Sequence, residues 1–82
     1  MKQTRLSKIP TKYRKEVQAE LRVISRTIQE RRKSLKMTQE ELAEKLNIAP
    51  TTLQFIEQSR RYPSFPMFVY ICNVLQIEIR LA

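Results

Sequence analysis

The most intrinsically nucleophilic side chain in this sequence is one thiol. Cys72 is the single cysteine and the 82-residue chain has no histidine. The thiol therefore has no internal disulfide partner, and no imidazole to share a metal with or to serve as its base. A buried core residue is the ordinary state of such a cysteine. There is also no glycine to build a phosphate-cradling loop, and no carboxylate pair can be assigned to a cleft. The expectation is a protein that is not an enzyme and needs no metal or cofactor. What the sequence does supply is positive charge, unevenly placed: residues 1–36 hold twelve Lys and Arg against three Glu, and residues 37–82 hold four against five. Such asymmetry suits an acidic polymer or surface, nucleic acid being the commonest; a solvated basic helix face is the plainer alternative.

The elements that must carry this charge read as helices. A chain of 82 residues has room for one domain with a modest core. No apolar run approaches the ~18 residues of a membrane span, and MKQTRLSKIP lacks the apolar core of a secretory leader, so a soluble, cytoplasmic protein is expected. From Thr11, a candidate cap after Pro10, the apolar residues Tyr13, Val17, Leu21, Ile24, Ile28 and Leu35 recur at helical spacing. That pattern fits one helix to about Lys36, or two broken near Val23-Ile24-Ser25. Residues 1–22 are expected to be a basic arm and helical extension. Thr38 and Glu41 form a capping box, which starts a second helix at residue 39 and predicts Leu42, Ala43 and Leu46 inside. Asn47 sits where the chain must turn and tolerates a left-handed conformation. Pro50 suits the first turn of a third helix running to about Gln58, with Leu53 and Ile56 buried. Ser64 can cap a fourth, whose inner face is predicted to hold Phe65, Phe68, Val69, Cys72 and Leu75.

Two short helices, near 39–45 and 50–58 with a tight turn between them, have the spacing of a helix-turn-helix. TQEELAEKLNIAPTTLQFIEQSRRYPS resembles the Xre family of helix-turn-helix domains, the fold of the lambda repressor and Cro, and the likeness covers about residues 24–77. It rests on the TQEELA start, Ile48 after the turn, the Leu53 and Ile56 pair, and Glu57 at the end of the second helix of the motif. Asn47 stands where the family usually has glycine, and Gln58-Ser59 where it usually has Asn-Gly, so the turn details depart from the pattern. The resemblance implies a mostly α, four- to five-helix lambda-repressor-like domain over residues 23–75, binding double-stranded DNA with its third helix in the major groove.

Carried over residue by residue, the likeness implies base contacts from Pro50, Thr51, Thr52, Gln54 and Phe55, beside Ala49. Gln54 can pair with adenine, Thr51 can offer hydroxyl or methyl, and an exposed Phe55 can meet a thymine methyl; a core position is the other reading of Phe55. A surface so poor in Arg, Lys and Asn implies a T- or A-rich half-site read partly through DNA shape. Phosphate contacts are implied at Gln39, Thr38, Ser59, Arg60 and Arg61, with Thr38 a cap first and the two arginines otherwise a solvated loop. Glu57 is implied to pair with Arg32 as a buried structural ion pair.

The closing residues LQIEIRLA alternate apolar Leu75, Ile77, Ile79 and Leu81 with polar neighbours, which predicts a short β-strand over 76–82 in place of a longer fourth helix. A lone strand needs a partner, and the simplest is the same segment of a second copy, giving a homodimer on a palindromic operator. In MFVYICNVLQIEIRLA the chain resembles HipB-type antitoxins. That implies a self-regulating repressor whose second partner is a toxin, a HipA-like kinase. The reading from a different class is a protein-interaction module that binds an acidic partner through its basic N-terminal helix.

Overall fold

Thr11 is helical, and the helix it enters does not break. The computed structural model describes residues 8–80, and α1 runs Thr11–Ser34 without interruption. Val23-Ile24-Ser25 holds no Pro or Gly to disturb the hydrogen-bond ladder. The cap is Pro10, not Thr11: the Tyr13 amide donates to the Pro10 carbonyl at 2.9 Å and no side chain caps the end. The remaining helices of the described residues are α2 (Gln39–Leu46), α3 (Pro50–Glu57) and α4 (Phe65–Leu75). At α2 the capping box is complete. The Glu41 amide donates to the Thr38 hydroxyl at 3.0 Å and the Thr38 amide donates to the Glu41 carboxylate at 2.9 Å. The Thr38 backbone donor, followed by its side chain, holds the Glu41 carboxyl below the usual carboxylate range. Ser64 caps α4 by accepting from the Met67 amide.

Ile28 of α1, Leu42, Ala43 and Leu46 of α2, Leu53 and Ile56 of α3, and Ile71 and Leu75 of α4 form one buried cluster. Each of α1 and α2 packs on both α3 and α4, so the two helices of the motif are fixed to one core. Cys72 is also buried, which pushes its thiol up and keeps it protonated. Phe65, expected inside, is instead 67% exposed. The buried face of α4 centres on Ile71 and Leu75, and Phe65 lies about 120° round the helix from Ile71. Beyond the core, α1 extends its apolar stripe with Leu21 and Val17 half-buried and Tyr13 47% exposed. None of the described helices is long and apolar enough to cross a membrane.

All four helices end the same way, on a left-handed residue that is not glycine: Lys36, Asn47, Ser59 and Gln76, with φ of 60°, 56°, 60° and 58°. In each case the next amide reaches back five residues: Met37 to the Arg32 carbonyl, Ile48 to Ala43, Arg60 to Phe55, and Ile77 to Cys72, at 2.8–3.1 Å. This bond satisfies a helix-end carbonyl, and the residue that donates it normally packs back on the last turn. Met37, Ile48 and Ile77 do so against the core, while the Arg60 guanidinium lies over the Phe55 ring. A left-handed conformation costs a non-glycine residue about 1–2 kcal/mol, part of which glycine would return as extra entropy of the unfolded chain. Lys36→Gly and Gln76→Gly are therefore each expected to raise stability by roughly 0.5–1 kcal/mol, seen as a higher urea midpoint at unchanged slope.

The same geometry revises the tail. Leu75 is the last residue of α4 and 0% exposed within its own protomer, so it belongs to the core and not to a seam. Gln76 is the left-handed cap, Ile77 is half-buried against the core, and Ile79 is 38% exposed. Residues 77–80 follow in neither helix nor strand. Leu81, the last residue of the predicted seam, lies outside the described residues.

Candidate nucleic-acid interface

The orientation of α3 follows from where its apolar residues fall. Leu53 and Ile56 are buried, so Pro50, Thr51, Gln54 and Phe55 are turned outward. Phe55 is 41% exposed, and the Arg60 guanidinium lies 5.7 Å from its ring centroid. This contact keeps an aromatic ring presentable in water and places a cation beside it. Thr52 is half-buried at the edge of the same face, in a cleft shared with Ile48, Ile56, Arg61, Pro63, Ser64 and Met67. The outward residues form a small surface of hydroxyl, amide, ring and methyl groups, with no charge among them.

Behind that surface, Glu57 joins three helices. Its Oε2 accepts from Arg32 Nε at 2.7 Å, and its Oε1 accepts from Arg32 Nη2 at 3.1 Å and from Gln39 Nε2 at 3.0 Å. Arg32 Nη1 donates to the Met37 carbonyl at 2.7 Å, which closes the turn between α1 and α2. The paired side chains are 8% and 1% exposed. With its charge paired and its oxygens bonded, Glu57 presents no free carboxylate to an approaching polyanion. The network also ties the end of α3 to the start of α2.

Gln39 therefore does more than the sequence indicated. It is the first residue of α2, half-buried, with one amide hydrogen on Glu57. Thr38 spends its hydroxyl as an acceptor inside the capping box. Ser59 is the half-buried left-handed residue after α3, and Arg60 and Arg61 follow it exposed. Thr38 and Gln39 thus lie at the start of α2, and Ser59, Arg60 and Arg61 beyond the end of α3. The pattern did not mark Arg22, Arg26 and Gln29, which line a polar cleft with Glu57, Gln58 and Ser59. Their signal is a spacing of four and three on the face of α1 opposite its apolar stripe.

Two short helices sharing one core, the second presenting an uncharged polar face and both ends flanked by donors, define a helix-turn-helix DNA-binding domain. The helix-turn-helix family model, of the Xre or lambda-repressor-like kind, matches residues 28–81. The chain belongs to this family. Membership marks it as a DNA-binding transcription regulator acting on double-stranded DNA. The match begins within α1 at Ile28 and leaves out residues 1–27. No curated protein and no solved structure matches the chain.

Proposed function

We propose that the protein is a transcriptional repressor that binds a palindromic operator as a homodimer, and that it serves as the antitoxin of a kinase-like toxin while repressing its own operon. The observation that carries DNA reading is the outward face of α3, held from behind by the Arg32, Glu57 and Gln39 network. In this reading Gln54 pairs with adenine, Phe55 meets thymine methyls, and Pro50, Thr51 and Thr52 complete the base contacts. Thr38, Gln39, Ser59, Arg60 and Arg61 hold the backbone on either side. With no charged group on the reading face, the half-site is T- or A-rich and is recognised partly by its narrow minor groove and deformability. The protein has no catalytic step of its own.

The dimer reading is supported by the tail. Ile77 and Ile79 line an apolar groove with Ile24, Ile28, Phe68 and Cys72. A segment outside any helix beside such a groove can add to a second copy in antiparallel fashion through Ile77 and Ile79. Leu75 does not take part, being enclosed in the protomer. The antitoxin role rests on the resemblance of the last helix and tail to HipB-type antitoxins. Light scattering on the full chain and on a chain ending at Ile77, which keeps the cap of α4 intact, tests the dimer. The expected result is a dimer that becomes a monomer on truncation. A monomeric full chain contradicts the dimer, and a dimer that survives truncation moves the seam elsewhere.

A further inference from the structure

The cleft between α1 and the end of α3 has a composition of which the base and phosphate contacts above use Ser59 alone. Arg22 and Arg26 enter it from α1 with Gln29 beside them, and Gln58 and Ser59 close it from the loop after α3; its volume is about 220 Å³. The one carboxylate in its wall is Glu57, already satisfied by Arg32 and Gln39. Arg22 and Arg26 are both exposed, and among the described residues neither makes an ion pair. The cleft is therefore cationic, lined with hydrogen-bond donors, and unneutralised.

Its position in the fold points to the same kind of ligand. Arg22 and Arg26 are about 6 Å apart along the axis of α1, at a rise of 1.5 Å per residue. They face the loop whose next residues are Arg60 and Arg61. Guanidinium groups bind phosphate oxygens in a planar, two-pronged manner, and the Gln58 amide and Ser59 hydroxyl can donate to the same anion. Of the α1 residues in this cleft, Arg22 and Arg26 lie before Ile28 and outside the family match, while Gln29 falls within it, so the two guanidinium groups are an addition to the matched segment.

We propose that Arg22, Arg26, Gln58 and Ser59 clamp a backbone phosphate of the DNA beyond the end of α3, extending the footprint outward from the helix-turn-helix. The inference rests on the DNA-binding reading above and adds a site to it. It also gives the basic middle of α1 a purpose, since Arg22 and Arg26 would contribute affinity without reading sequence.

The test compares wild type with an Arg22→Gln/Arg26→Gln variant on the best duplex selected from random DNA. Both side chains are exposed, so the variant should fold normally, which circular dichroism checks. Phosphate ethylation of the duplex should weaken wild-type binding at a position outside the α3 contacts, and that interference should vanish in the variant. Each phosphate that the protein no longer neutralises lowers the salt slope by about 0.9. The drop in affinity between 50 and 200 mM salt should then be about 3.5-fold smaller in the variant for one clamped phosphate, and about tenfold smaller for a dimer with one in each protomer, with base preferences unchanged. Identical interference patterns and slopes overturn the clamp while leaving helix-turn-helix binding intact. A wild type that selects no DNA overturns the underlying reading and the clamp with it. A cleft that responds only to inorganic phosphate, seen as a thermal shift absent in the variant without any change on DNA, is a free-anion site and also overturns the proposal.

Discussion

Replacing Glu57 with alanine is expected to unfold most of the domain before it alters which DNA sequence is preferred. The substitution leaves the Arg32 guanidinium buried with the Met37 carbonyl as its remaining bonded partner, and it releases Gln39 from the end of α3. Breaking a buried pair on one side costs about 3–5 kcal/mol, because the surviving charge stays desolvated. A small domain has a net stability of roughly 0.05–0.15 kcal/mol per residue, about 4–12 kcal/mol for 82 residues, so this loss removes a large share of it and nearly all at the lower end. Urea unfolding followed by circular dichroism gives the measurement. Glu57→Gln should be milder, since it keeps the shape and one acceptor. A well-folded alanine variant with changed base preference would show Glu57 to be a reading residue and would undo its structural assignment.

The second large effect concerns salt. A dimer that places Thr38, Gln39, Ser59, Arg60 and Arg61 of each protomer on the backbone makes six or more phosphate contacts. Its affinity for DNA should fall about a thousandfold between 50 and 200 mM salt as counterions are no longer released favourably. The ranking of one duplex over another should survive, because the base contacts of α3 are uncharged. A basic module that merely adheres to acidic partners would show the same fall in affinity without any ranking to preserve. Fluorescence anisotropy on two duplexes, one selected and one scrambled, separates the two readings.

Local signals in the sequence were the readable ones. The Thr38 and Glu41 box declares itself because both of its hydrogen bonds span three residues, and Asn47 declares the turn because Asn tolerates a left-handed backbone. Lys36, Ser59 and Gln76 take the same conformation with no such preference, so their role appears only in the amides that reach back across them. The period of α1 is identical for one helix or two, and only its unbroken hydrogen-bond ladder decides between them. The tail misleads for a physical reason: Leu75 closes a helix and Ile77 packs back from beyond a left-handed cap, and together they imitate the start of a strand.

Long side chains that reach across the fold leave no trace in the pattern. Arg31 Nε donates to the Leu75 carbonyl at the end of α4, and the Tyr70 hydroxyl donates to the Lys45 carbonyl near the end of α2. Each satisfies a helix terminus from 25 or more positions away in sequence. Of the candidate site, the face of α3 followed from which side of the helix is apolar, and the Arg32 and Glu57 pair from the family resemblance. The link from Gln39 to Glu57 and the α1 cleft exist only in the packed structure.

That α3 reads DNA through Gln54 and Phe55 is tested most directly by selecting duplexes from a random pool with wild type and with Gln54→Ala/Phe55→Ala. Both side chains are exposed, so the variant should keep its fold. Wild type should enrich inverted repeats with T- or A-rich half-sites about one helical turn, 10–10.5 base pairs, apart, and the variant should lose that enrichment while retaining salt-sensitive binding. A preferred site that is G·C-rich throughout, or the same site chosen by both proteins, would contradict the account.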